Sequence, residues 1–380
     1  MPQKASTQDS IYYLLKWFEN HKAKGFRVVV MPDFFFDRFV QYPKDFNSFS
    51  RNALEVVRRK GGSMDNVKQV NFRGGNAANT AAAFTTLGAT VYPIIETDPL
   101  GLTLLKHFFQ ALNINLNHVK IKGRVSITTA LEFIQNGRVN LMLRDLGSLV
   151  DFGPKSLTLA DYDLLASADV VCVFNWAGTR KHGTELAQTV FRYVKTKGKG
   201  VTYYDTADPL PNEEKIPTLI EYVLLKDFVD ILSVNENEAV QYATYISPKH
   251  VTLLRKKYKK LEKLALECAA LLAEHLSARI DLHTTAYSAT FCKNKKPQVV
   301  SSFKVKILRA TGAGDSWNAG NIYADQQGLP DKARLTFANA VAAYYVSNPN
   351  GAHPTMNQLK SFLKKAVTEP QPQKHLTDQE

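Results

Sequence analysis

Cysteine is scarce in this chain of 380 residues: there are 3, at positions 172, 268 and 292. They are too few and too far apart for a disulfide framework or a CxxC metal pair. Cys172, inside an apolar run, reads as a small buried hydrophobe. No apolar stretch approaches the ~18 residues that span a bilayer. The first ten residues are polar and carry no signal-peptide apolar segment, so a cytoplasmic protein is expected. The 9 histidines show no metal-binding spacing. Neither a Gly-x-x-x-x-Gly-Lys-Ser/Thr phosphate loop nor a Gly-x-Ser-x-Gly nucleophile elbow occurs. Acid is in deficit, with 35 Asp+Glu against 48 Lys+Arg and a net charge of +13. Much of the surplus crowds residues 255–263, where Leu254, Tyr258, Leu261, Ala265, Cys268 and Leu272 recur at helical spacing. The expectation there is the solvated face of one amphipathic helix. With no zinc-finger or aromatic RNA-binding motif, a nucleic-acid partner is not expected.

Hydrophobic residues make up 44%, enough for a large core. Residues 8–19 predict a short amphipathic helix with Ile11, Leu14, Leu15 and Phe18 on one side. A buried strand follows at 27–31 and ends at Pro32. Residues 41–66 are polar and read as an irregular insertion. An alanine-rich helix is predicted at 77–87. Runs at 125–134 and 138–144, joined by Asn136-Gly137, predict a hairpin. Apolar runs at 169–174, 201–205 and 230–234 each follow a helix-like segment. This alternation argues for a mostly parallel sheet with helices on both faces, and the hairpin for a small separate lid. The Pro/Gln-rich tail, 369–380, is expected to be disordered.

The chemistry concentrates in Thr311-Gly312-Ala313-Gly314-Asp315. Small residues at the start of a helix leave backbone N–H groups open to an anion, phosphate above all. A carboxylate costs Coulomb energy there, and the reason that fits is that Asp315 takes the proton of a hydroxyl attacking phosphorus. Upstream, Gly74-Gly75-Asn76-Ala77-Ala78-Asn79 lets backbone approach a ligand closely, and Asn79 offers a donor and an acceptor to a polyol. Asp37, just past the first strand, stands where open α/β sheets bind ligands. Asn235 and Glu238 follow another strand and suit hydrated Mg²⁺.

These segments, in order, resemble the ribokinase-like (PfkB) carbohydrate and nucleoside kinases from about residue 26 to about residue 362. Gly74-Gly75-x-x-x-Asn79 with Leu87-Gly88 is similar to the family's N-terminal signature, Thr311 to Asp315 to its C-terminal one, and Asn235-x-x-Glu238 to its Asn-x-x-Glu motif. The resemblance implies a three-layer α/β/α sandwich with a small β-lid. The core would comprise 25–37, 74–120 and 148–368, the lid 38–73 and 121–147, and an N-terminal helical extension 1–24. Asp315 would be the base, and the N–H groups of Gly312, Ala313 and Gly314 the anion hole. Asn235 and Glu238 would organise Mg²⁺. Asp37, Gly74, Gly75 and Asn79, with Arg138 and Arg180, would hold the acceptor. Thr284, Ala286, Ala289, Thr311 and Asn339 would face the nucleotide.

The donor implied is ATP by default, with ADP open because Ala286 and Ala289 stand where the family has glycines. The acceptor implied is a sugar or nucleoside. A sugar phosphate such as ribose 1-phosphate would need a cation, for which Arg73, Arg138, Arg144, Arg180 and Lys181 are candidates. A regulator that kept the fold and lost catalysis is the reading from another class. Lid pairing in relatives implies a homodimer. The chain departs from the family at Arg309 and Ala310, which precede Thr311. In relatives an Asp there helps bind a monovalent cation, and Arg309 is expected to supply that charge itself.

Overall fold

Strands alternate with helices along almost the whole chain in the computed structural model, which describes residues 7–135 and 137–368. The strands are β1 (Arg27–Met31), β2 (Phe35–Gln41), β3 (Lys68–Gly74), β4 (Thr90–Pro93), β5 (Ile95–Thr97), β6 (Val119–Ile121), β7 (Ser126–Ile134), β8 (Arg138–Asp145), β9 (Val170–Phe174), β10 (Val201–Asp205), β11 (Ile231–Val234), β12 (Arg279–His283), β13 (Tyr287–Phe291) and β14 (Gln298–Ser301). Eight of them form the central sheet in the order β14-β13-β12-β11-β10-β9-β1-β4. From β4 to β12 neighbouring strands are parallel, and β13 and β14 add an antiparallel edge.

Both faces of this sheet are covered, as its continuous apolar strands require. In β1, Val29 and Met31 enter one core, under the helices Gly183–Lys197, Glu236–Ile246 and Leu261–His275; Val28 and Val30 enter the other, under Asn76–Leu87, Ala313–Gln326 and Asp331–Ser347. The expected three-layer α/β/α architecture is therefore the observed one. The helix Thr7–Asn20 adds to the second core, where Trp17 and Phe18 meet the ring of Phe337 at 6.3 and 6.2 Å.

The lid is a four-stranded sheet in the order β3-β2-β7-β8. Its strands start at Phe35 rather than residue 38, because β2 pairs with β3 from Phe35↔Gly74 onward. The insertion is not irregular: residues Phe46–Arg58 form a helix. Asp45 caps it by accepting from Ser48 N at 2.8 Å, and Phe46 and Phe49 each reach the ring of Phe133 at 5.3 Å. The basic segment is two helices, Pro248–Lys257 and Leu261–His275, not one. The chain is extended at Tyr258, which lets its ring pack on the core while Leu264, Cys268 and Leu272 turn to the sheet. Asn136 of the hairpin turn, residues 1–6 and the tail 369–380 lie outside the described residues. No helix among the described residues is long and apolar enough to cross a membrane.

Candidate active site

The carboxyl ends of β1, β9, β10, β11 and β12 open toward one rim of the sheet, from which the chain leads through Asp33 into β2 of the small sheet. Asp33, two residues beyond β1, is 1% exposed. Its Oδ1 accepts from Ala77 N and its Oδ2 from Asn76 N and Asn175 Nδ2, all at 2.8 Å. It thereby caps the helix Asn76–Leu87, whose own cap position, Gly75, has no side chain to do so. Gly75 must be glycine: its φ is +93°, and a Cβ would lie 2.9 Å from Asp33 O.

That helix presents Asn76 and Asn79 to Asp315. Asn76 Nδ2 donates to Asp315 Oδ1 at 2.8 Å and Asn79 Nδ2 to Oδ2 at 3.0 Å. Asp315 sits in the first turn of Ala313–Gln326, 5% exposed. Burial pushes its carboxyl up to about 8; the two amides oppose this, and Asp205 and Asp33 add to it. Gly312, with φ +86°, starts the helix, and a Cβ on it would meet Tyr345 Oη at 2.6 Å. Ala313 N donates to Ala310 O at 3.2 Å, so this N–H is turned away from an anion. The N–H groups of Gly312 and Gly314 meet no protein acceptor among the described residues.

On the lid, Asp37 lies so close to Gly74 that a Cβ there would collide with its carboxylate. Burial raises the Asp37 carboxyl to about 6, against the pull of Thr128 and Arg144. Its Oδ1 is buried without a hydrogen-bond partner. Across the rim, Asn235 and Glu238 form a reciprocal helix cap. Asn235 Oδ1 accepts from Glu238 N at 3.0 Å, and Glu238 accepts from Asn235 N at 2.9 Å and from Asn235 Nδ2 at 2.7 Å. Burial, then Asp205, raises the Glu238 carboxyl well above its ordinary range.

Several predicted residues stand elsewhere. Ala289 is fully buried within β13, paired with Leu282 and Val299, and cannot face a nucleotide. Asn339 is a core tie: it accepts from Trp317 Nε1 at 2.9 Å and donates to Ser301 O at 3.2 Å. Thr284 closes a turn on Tyr287 O at 2.7 Å, with Ala286 exposed beside it, and Thr311 is exposed next to Gly312. Arg180 donates to Pro211 O and to Asn212 Oδ1, and Lys181 pairs with Asp151. Arg138 is at the far end of β8, about 20 Å of strand from Arg144. It is Arg144 that stands at the site, over the Phe35 ring at 5.0 Å. Asn79 gives its amide to Asp315 and its carbonyl to Arg73 Nε at 3.3 Å, which leaves little of it for a sugar.

Sequence reasoning missed Asp33, Asp205 and His283. Each follows or ends an apolar strand, a position shared by most functional residues of such sheets, and that was the available signal. Asp205 Oδ2 accepts from Asn318 Nδ2 at 2.6 Å. His283 lies tilted against the Trp317 ring at 4.9 Å, leaves Nε2 buried without a partner, and is 3.3 Å from where a Gly314 Cβ would be.

Residues 45–358 match the model of the pfkB family carbohydrate kinases. The chain belongs to this family. It is a phosphotransferase acting on a sugar hydroxyl. A 5-dehydro-2-deoxygluconokinase of Geobacillus thermodenitrificans is 23% identical over 85% of this kinase and 94% of its own length. A ribokinase of Arabidopsis thaliana is 24% identical over 82% and 76%. Among solved structures, Arabidopsis ribokinase complexed with ribose and ATP has a TM-score of 0.65 at 19% identity, covering 90% of this chain and 99% of that one. Adenosine kinase from Sinorhizobium meliloti has a TM-score of 0.66 at 17% identity, covering 90% and 99%. A putative ribokinase from E. coli, similar in fold, was solved with ATP and Mg²⁺.

Proposed function

We propose that this kinase transfers the terminal phosphoryl group of ATP to a hydroxyl of a sugar held by Asp37, with Asp315 as general base. The observation that carries the reading is Asp315 itself: a buried carboxylate, fixed by two amides, beside the free N–H groups of Gly312 and Gly314 at a helix start. The acceptor O–H gives its proton to Asp315. Its oxygen forms a bond to the terminal phosphorus, and the bond from phosphorus to the bridging oxygen of the nucleotide breaks. The two N–H groups and the positive end of the helix stabilise charge spread over the phosphoryl oxygens. The orphan Asp37 Oδ1 accepts from a second hydroxyl and fixes the ring. The lid excludes water over both.

Mg²⁺ fits the residues present. Asp33, Asp205, Glu238 and Asp315 are all buried, and among the described residues no Lys, Arg or His nitrogen is within ion-pair distance of any of them. Among the described residues no three such side chains are placed to hold a metal directly, so the fit is to a divalent ion that keeps its waters and uses few carboxylates. Asp205 and Glu238 would hold it, through water, and the metal would neutralise charge on the nucleotide phosphates. Of the acceptor classes, the relatives' names favour a sugar or sugar acid over a nucleoside.

The test is a coupled phosphoryl-transfer screen with Mg²⁺, crossing ATP, ADP and GTP with free sugars, sugar acids, sugar phosphates and nucleosides, with Asp315→Asn as control. Turnover on one class, lost in the variant, is expected. Full activity of Asp315→Asn would remove the mechanism. Folded protein that binds nucleotide and turns over nothing would make it a binder that has lost catalysis.

A further inference from the structure

Arg73 is half-buried and pairs with no acid among the described residues. Its neighbours are neutral. Nε donates to Asn79 Oδ1 at 3.3 Å, Nη2 reaches His353 Nε2 at 3.4 Å, and the guanidinium lies over the Phe109 ring at 5.4 Å. A guanidinium drawn partly out of water, with no acid paired to it, is open to an anion.

Its position shows which anion. Arg73 is next to Gly74 at the end of β3. The amide it touches, Asn79, also holds Asp315. On its other side, His353 Nδ1 meets Ser316 Oγ at 3.2 Å, and that hydroxyl donates to Gly312 O at 2.9 Å. Ser316 gives its proton to Gly312, so His353 carries its hydrogen on Nδ1 and accepts from Arg73 on Nε2. Burial and the arginines 73 and 309 hold His353 neutral, far below its ordinary range. Arg73 is thus braced between Asp315 and the Gly312 turn by neutral groups, with Asp315 acting on it at a distance but not paired to it. Arg144 acts on Asp37 and Asp33 instead, at the acceptor-holding end.

We propose that Arg73 is a further catalytic residue of this kinase, its free guanidinium N–H groups contacting the phosphoryl group during transfer. This rests on the phosphotransferase reading of the same site. The proton still goes to Asp315, and the phosphorus–oxygen bonds form and break as above. Arg73 keeps its protons throughout and offsets the repulsion between the incoming phosphoryl oxygens and the buried acids. Arg fits this role better than Lys because its planar fork meets two oxygens at once.

The experiment compares wild type with Arg73→Ala, Arg73→Gln and Arg73→Lys. Arg73→Ala and Arg73→Gln should lose about 10²–10³-fold in kcat, with KM for both substrates within about threefold. Added guanidinium ion, but not tetramethylammonium, should restore Arg73→Ala at least about tenfold, because it alone returns the planar donor pair. Arg73→Gln keeps a donor for Asn79 but no charge. Near-wild-type activity in it would show that Arg73 only positions Asn79, and would overturn the proposal. A second measurement needs no turnover: calorimetric binding of Mg²⁺–ADP–aluminium fluoride, a mimic of the phosphoryl group in transfer. Arg73→Ala should bind the mimic about 100-fold more weakly, with ADP affinity unchanged. Equal affinity for the mimic would overturn the proposal. Wild type that turns over no acceptor would count against the kinase reading, while the mimic would still decide Arg73.

Discussion

Asp315→Asn should abolish activity, and its stability relative to wild type should rise with pH. An Asp held near 8 in the folded state, against 3.8 when exposed, is protonated in the fold at pH values where the unfolded chain has released the proton. The unfolded state therefore binds fewer protons between those two values, and stability contributed by the site falls as pH rises, at about 1.4 kcal/mol per unit. Below the lower value both states are protonated and the effect is absent; above the upper one it is complete. Asn has no proton to release. The wild-type curve should therefore fall below that of Asp315→Asn by about 4 kcal/mol more at about pH 8 than at about pH 5. For a chain of 380 residues, with an unfolding entropy of about 2.1 cal/mol/K per residue, that is about 5 °C in Tm. The slope is the useful quantity. The amide introduced by Asp315→Asn would turn its own NH₂ toward one of the two neighbouring amides, and the lost hydrogen bond shifts the whole curve by about 1–3 kcal/mol without changing its slope. Scanning calorimetry of both proteins across this range is the assay. Parallel curves would refute the claim that burial, rather than catalysis alone, sets the state of Asp315. The same value predicts that wild-type kcat/KM climbs with pH, passes half its maximum at about 8 and levels off above it, since a base works only after losing its proton.

Three further perturbations follow from the site. Exchanging NaCl for KCl at constant ionic strength should leave activity unchanged, because Arg309 already donates to Pro349 O at 3.1 Å and packs against the backbone of Gly351; activation by K⁺ beyond about threefold would show that the guanidinium does not replace a cation. Glu238→Gln should raise the Mg²⁺ concentration for half-maximal rate by about tenfold or more with the acceptor KM unchanged, and an unaltered Mg²⁺ titration would restrict Glu238 to its helix cap. Gly75→Ala should destabilise by about 1–3 kcal/mol in urea unfolding, through its φ of +93° and the 2.9 Å approach to Asp33 O; a wild-type midpoint would mean the turn yields freely.

The sheet, the lid hairpin and the two glycine turns were legible because each has a local cause. Continuous apolar runs make buried parallel strands, and glycines mark backbone that must bend to positive φ or come close. The helix Phe46–Arg58 carried a signal that its polar composition masked: Phe46, Phe49, Ala53 and Val56 recur at helical spacing, but none is fully buried, and the helix is held by Phe133 of a strand some eighty residues on. The break at Tyr258 was hidden because Leu254, Tyr258 and Leu261 keep helical spacing across it. Side-chain partners were the least accessible. Nothing local distinguishes Arg180, tied to Asn212, from Arg73, which has no acid; both precede or follow glycine-rich turns and differ only in what the fold brings to them.

Hydrogen-bond occupancy separates the two aspartates that follow β1. Asp33 is the more deeply buried, and its position beside Asn175 would suit a sugar ligand. Yet Oδ1 is filled by Ala77 N, and Oδ2 by Asn76 N and Asn175 Nδ2. A substrate hydroxyl could enter only by displacing a helix cap, at a cost of about 1 kcal/mol or more. Asp37 has the opposite balance: a buried oxygen with no partner, on β2 of the small sheet. Desolvating that oxygen without compensation is costly in the free protein and is relieved when a hydroxyl donates to it. In the proposed reaction the unsatisfied atom would select for an acceptor that brings a donor to this point. The satisfied one, Asp33, contributes rigidity instead: it fixes Asn76, and through Asn76 the orientation of Asp315.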